Sequence, residues 1–113
     1  MAMGRGSGGG IVITQWAATK HTFSTAGNTA TVTATLPGGQ TGIPRVLRAS
    51  GGVSGIATIT YGASAQVIAP INPNAPYTDV LIPATAFPNP TGSVPIKLTG
   101  DAAGTLRATV GFQ

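Results

Sequence analysis

Cysteine is absent from this 113-residue chain, which excludes disulfides and thiolate metal sites and leaves the redox compartment unreadable. Charge is almost absent as well. Asp and Glu together number 2, Lys and Arg 6, and charged side chains are 7% of the sequence, against about 25% in a typical soluble domain. A free monomer generally keeps itself in solution with a charged surface. A chain this neutral therefore fits a subunit that hides its exterior in a larger assembly, or else a secreted domain with a hydroxyl-rich surface. Aromatics are scarce at 5%, so the core has to be built from Val, Ile, Leu and Ala, each large aliphatic contributing about 1.5–3 kcal/mol when fully buried. No uninterrupted apolar run approaches the roughly 20 residues of a membrane span, and the first residues lack the charged and apolar regions of a signal peptide. No membrane association is expected, and an extracellular destination would need a route other than an encoded signal.

The few polar groups of the right chemistry are badly placed for catalysis. A hydrolytic triad needs a histidine beside a nucleophile with an acid behind it. The single histidine, His21, lies between Lys20 and Thr22 in a polar stretch that predicts a solvated loop or strand end. Asp79 and Asp101 are the only carboxylates for glycosidase-type chemistry. Asp79 falls in an apolar strand, where pairing with an arginine is expected, and Asp101 falls in a turn, where Asp bonds its own backbone. One His and two separated Asp form no spaced metal cluster. The glycines of residues 4–10 precede a strand, whereas phosphate cradles open a helix. No enzyme activity, cofactor or metal is expected. The net charge of +4 comes from Arg5, Lys20, Arg45, Arg48, Lys97 and Arg107, which are scattered rather than clustered with aromatics, so direct nucleic-acid binding is not expected either.

What the sequence does contain is strand patterning cut by Gly and Pro. Residues 1–10 form a glycine-rich arm with one charge, Arg5; ordering it costs backbone entropy that few side chains repay, so it is expected to be flexible. Residues 11–113 form one domain. Ile11 to Trp16 is β-branched and predicts the first strand, with Ala17 to His21 a continuation past a bend. Thr29 to Leu36 alternates strictly, with Thr29, Thr31, Thr33 and Thr35 on one side and Ala30, Val32, Ala34 and Leu36 on the other. A threonine ladder can bind a flat ordered partner such as ice or a glycan, but one strand does not make such a surface. Ile43 to Ala49, Val53 to Tyr61, Gln66 to Ile71 and Tyr77 to Ile82 follow, Pro44 marking a strand start or edge. Tyr77, Asp79 and Leu81 are set against Thr78, Val80 and Ile82. The loops of residues 72–76 and 83–92 carry too many prolines for ladder strands, and their length suits crossings between sheets. Phe87 is expected to plug the core beneath the second, and a single helical turn is conceivable near Ala84 to Phe87.

The strongest local signal is Ser93 to Gln113. Val94, Ile96 and Leu98 alternate in the first half, Leu106, Ala108, Val110 and Phe112 in the second. With a loop at Gly100 to Gly104 this predicts a hairpin in which Leu98 faces Leu106 and Lys97 faces Arg107. That like-charge pair is mildly repulsive unless water and salt screen it or an acidic partner sits between. Seven to eight short antiparallel strands at spacings of about 8–12 residues predict an all-β, single-domain β-sandwich of Greek-key or jelly-roll type. Candidate interface residues are Arg5, Trp16, Arg45, Arg48, Tyr77, Lys97 and Arg107. Trp16, Tyr61 and Tyr77 are the aromatics able to anchor a partner or stack on a sugar ring, although core positions suit all three.

A small, cysteine-free, nearly uncharged all-β chain with a glycine-rich N-terminal arm resembles the capsid decoration, or cement, proteins of tailed bacteriophages. The resemblance lies in the general character of the whole chain and not in a diagnostic motif, so it assigns no residue a role. It implies a virion structural protein, made in the host cytoplasm and placed on the capsid surface. Such a subunit is a homo-oligomer, trimer or dimer, that bridges major capsid proteins or other virion subunits without covalent bonds. The length is short for a major capsid protein of that class. The alternative is a glycan-binding or adhesin module of a phage fibre or spike, with Tyr77 beside the residue 72–76 loop as its contact.

Overall fold

The computed structural model describes residues 11–113; the glycine-rich arm, with Arg5, lies outside them. The described chain forms eight strands, β1 (Gln15–Phe23), β2 (Thr29–Thr35), β3 (Pro44–Gly51), β4 (Gly55–Tyr61), β5 (Ala65–Ile71), β6 (Thr78–Leu81), β7 (Ser93–Gly100) and β8 (Gly104–Phe112). They make two four-stranded antiparallel sheets, ordered β1-β8-β3-β6 and β2-β7-β4-β5. The pairings are nested: first with last, second with seventh, third with sixth, fourth with fifth. This is a jelly roll, one long double ribbon with the β4–β5 turn as its tip, rolled so that its halves face each other. Every connection except β4–β5 therefore crosses from one sheet to the other, including the two proline-rich ones.

The expected β7–β8 hairpin does not form. The two strands are consecutive but belong to opposite sheets, and the turn between them is an arch. Val94, Ile96 and Leu98 point across the sandwich at Leu106, Ala108, Val110 and Phe112, and all seven are fully buried. Alternation specifies which side of a strand is covered; it does not specify whether the neighbour lies beside the strand or opposite it. Gly104 permits the arch. Its φ is +154°, and a Cβ there would lie 2.7 Å from Val53 Cγ1, so the chain turns where any side chain would strike the β3–β4 connection. The Asp101 amide donates to the Ser54 carbonyl at 3.0 Å, tying the arch to the same connection.

The core is aliphatic, as the composition requires: Leu47, Ile59, Ile82, Ile96, Leu98, Leu106 and Phe112 are among its largest fully buried members. Phe87 packs against it from the β6–β7 connection. Trp16 and Tyr77 are not core residues; they lie 42% and 49% exposed, while Tyr61 is partly buried against the core. The first strand starts at Gln15, later than the apolar run predicts, and continues through Ala17–His21 without a break. The only helical turn among the described residues is Pro37–Gly39; Ala84–Ala86 makes a plain turn.

Candidate interaction face

The site lies on the outer face of the β1-β8-β3-β6 sheet. Alternation sends Trp16, Ala18 and Lys20 of β1, Arg107, Thr109 and Gly111 of β8, Arg48 of β3 and Asp79 of β6 to that side. Register then sets them in rows: Trp16 beside Gly111, Ala18 beside Thr109 beside Arg48 beside Asp79, and Lys20 beside Arg107. Arg48 is the centre. Its guanidinium Nε donates to Asp79 Oδ1 at 2.8 Å and a terminal nitrogen donates to Oδ2 at 3.0 Å, the fork geometry that makes Arg–carboxylate pairs directional. The same guanidinium carbon stands 4.5 Å from the Trp16 ring centroid and 4.2 Å from the Tyr77 ring centroid. A cation thus sits between two aromatic faces, held by an anion in the plane of its sheet neighbours. The hydrogen bonds to Asp79 push the Arg48 pKa above its ordinary value, against an opposing effect of desolvation.

Glycine at position 111 lets Trp16 reach this arrangement. A Cβ there would lie 2.9 Å from Trp16 Cζ3 and 3.0 Å from Ile13 Cγ2. The indole lies over bare backbone of β8 and bridges from edge strand β1 towards β3. Leu81, 65% exposed, adds apolar surface.

Next to the stack is a shallow hollow of about 300 Å³ lined by Ala18, Thr19, Lys20, Arg107 and Thr109. Lys20 and Arg107 face each other directly across β1 and β8, and both are exposed. The expected Lys97–Arg107 pair is corrected here: Lys97 is flanked by Thr31 and Thr58 on the other sheet. The real like-charge pair uses Lys20, a residue outside the sequence-based candidates. A β7–β8 hairpin hides this pair, although the outward alternation of β1 and β8 signals it. Among the described residues the only ion pair is Arg48–Asp79, so Lys20 and Arg107 have no carboxylate within pairing distance.

Arg45 does structural work at the start of β3. Its Nε donates to the Ile82 carbonyl at 3.2 Å and a terminal nitrogen to Gln113 Oε1 at 2.9 Å. His21 turns to the inner side of β1, edge-on to Phe23 at 4.7 Å between ring centroids. Asp79 is on β6 at the far edge of that sheet, about three strand spacings or roughly 14 Å away, and Asp101 is in the β7–β8 arch. The structure does not bring the three together.

The outer face of the second sheet has a different character. Thr29, Thr31, Thr33 and Thr35 of β2 lie beside Thr99, Lys97, Pro95 and Ser93 of β7, and Ile56 and Ile68 are exposed on β4 and β5. Lys97 is the single charge among the outward-facing positions of its four strands. No protein-family model matches the chain, and neither a curated protein nor a solved structure gives a significant match.

Proposed function

We propose that this jelly roll is a virion structural protein, a decoration subunit that binds and stabilises an assembled protein shell by non-covalent contacts. The observation that carries the reading is the first sheet's outer face. Trp16, Tyr77 and Leu81 are exposed there around a pre-ordered Arg48–Asp79 pair, and the unpaired Lys20 and Arg107 lie beside them. Aromatic and Arg side chains with a rigid geometry are the usual anchors of protein interfaces, and the two free cations match an acidic patch on a partner. The near-absence of charge on the opposite face suits burial or close packing against neighbours. A ligand that binds only the assembled lattice stabilises it by mass action, and many weak attachments multiply the effect.

The test is binding of the purified protein to particles of the virus whose genome encodes it. Co-sedimentation with intact shells, little binding to the unassembled major subunit, and raised resistance of decorated shells to heat or chaotrope are expected. Absence of the chain from gradient-purified particles, together with no binding to stripped ones, would overturn the reading.

A glycan-binding role is favoured by one observation, the two exposed rings of Trp16 and Tyr77 on a single face. Each already has Arg48 against one side, so a sugar would have to stack on the other. A glycan array with Tyr77→Ala as control decides: selective binding lost in the variant supports an adhesin, and no binding at all leaves the structural role.

A further inference from the structure

We propose that β2 is a self-association edge: two copies join their β2 strands antiparallel about a two-fold axis at Val32, producing one eight-stranded sheet across the dimer. This goes beyond the proposed role in a shell and does not depend on it.

The first observation is which backbone groups are free. Among the described residues β2 pairs only with β7 and is an edge of its sheet. At the two ends of that pairing the Leu36 amide donates to the Gly92 carbonyl at 2.8 Å and the Gly100 amide to the Asn28 carbonyl at 3.0 Å. Leu36 and Asn28 therefore mark the hydrogen-bonded positions of the ladder. These alternate along an antiparallel strand, so Ala30, Val32 and Ala34 bond to β7. The amides and carbonyls of Thr29, Thr31, Thr33 and Thr35 point the other way, off the open edge.

The second observation is the absence of protection. Natural sheets guard their edges with short strands, prolines, bulges or lysines. Edge strand β6 has 4 residues, edge strand β5 contains Pro70, and edge strand β1 carries Lys20. β2 has 7 residues, no charge and no proline, and its register with β7 runs unshifted from Thr29 to Thr35. Ala30 and Val32 face the core yet stay only partly buried, because no neighbour among the described residues covers that flank.

The third observation identifies the occupant. Thr29–Thr35 reads Thr-Ala-Thr-Val-Thr-Ala-Thr in both directions. A two-fold at Val32 sets Val32 opposite Val32 of the second copy, Ala30 opposite Ala34, Thr31 opposite Thr33 and Thr29 opposite Thr35. Inner faces stay inside, hydroxyl faces stay outside, and no like charges meet. The threonine pairs fall at the free backbone positions, so the four threonines of each copy complete eight inter-chain bonds. An isologous interface requires this self-complementarity, and Thr–Thr cross-strand pairs are favourable.

Light scattering after size exclusion, over a concentration series, reads the mass; a dimer has twice the 11.1 kDa of the chain. Thr31→Lys combined with Thr33→Lys opposes like charges twice across the axis and is expected to weaken the dimer by about ten-fold or more. Thr31→Glu combined with Thr33→Lys opposes unlike charges at the same exposed positions and keeps it, which also controls for folding. Because the native chain has no cysteine, Val32→Cys should give an oxidised dimer on a non-reducing gel, while Thr29→Cys, facing Thr35, should not. A wild-type monomer at all concentrations, a trimer, or a dimer indifferent to the sign of the charges overturns the proposal.

Discussion

Replacing Arg48 with alanine should cost more than removing its anion, and the difference measures the rings. The guanidinium makes one ion pair, whose side chains are 36% and 38% exposed, and two ring contacts. An exposed pair contributes about 0.2–1 kcal/mol, and a cation over an exposed ring about 0.5–1 kcal/mol. Arg48→Ala loses all three and should destabilise by about 1–3 kcal/mol. Asp79→Asn loses only the charge of the pair and should cost at most about 1 kcal/mol. Urea unfolding with linear extrapolation resolves this, since the change in midpoint at constant slope reports stability. The Asp79 effect should shrink in high salt, which screens exposed ion pairs, whereas most of the Arg48 effect should persist. The Arg48 pKa is raised by its hydrogen bonds to Asp79, so its contribution is complete below the ordinary arginine pKa and is lost only as pH climbs through the still higher folded one. Equal costs for the two substitutions, or a full loss of the Arg48 effect in salt, would refute the stacking argument.

Three further outcomes follow from the same packing. Gly111→Ala brings a methyl within 2.9 Å of the Trp16 ring, so it should displace the indole and shift its fluorescence to longer wavelength, while far-UV circular dichroism is unchanged. Leu106→Ala empties a fully buried position and should cost about 2–5 kcal/mol in the same urea assay. Cysteines introduced together at Lys20 and Arg107, direct neighbours across β1 and β8, should oxidise to an intramolecular disulfide; the pair at Lys97 and Arg107, on opposite outer faces, should not, and the reverse result would restore the hairpin.

The class of fold was legible because burial leaves a period of two wherever one side of a strand meets the core. Thr29 to Leu36 therefore predicted the right inward residues, and Tyr77 to Ile82 the right division of its residues into two sides but not which side was covered. Pairing left no such mark. Ser93 to Gln113 satisfies a hairpin and an arch equally well, and only the bulk of Val53 against Gly104 and the nested partners distinguish them. A hairpin gives Arg107 the neighbour Lys97, whereas the arch gives it Lys20. Arg48 and Trp16 were legible as residue types able to anchor an interface, but not as members of one stack. They lie on β3 and β1 with β8 between them, and the glycine that lets the indole cross comes from a third segment.

The proposed self-paired edge and the proposed docking face would act together. A two-fold axis through Val32 runs perpendicular to the sheet, so both copies present their Trp16–Arg48–Tyr77 faces in one direction and their threonine faces in the other. On the two proposals together, a dimer would offer a shell two docking faces at once, and the second attachment would be governed by effective rather than bulk concentration, which raises avidity by about 10²–10⁴ when the spacing fits. Thr31→Lys with Thr33→Lys, which leaves the docking face untouched, should therefore reduce shell binding far more than a single-face contact would allow, and Thr31→Glu with Thr33→Lys should restore it. Arg48→Ala should weaken each attachment in the dimer and the monomer alike. Shell binding that is indifferent to the oligomeric state would separate the two ideas, leaving the edge and the face as independent properties of the molecule.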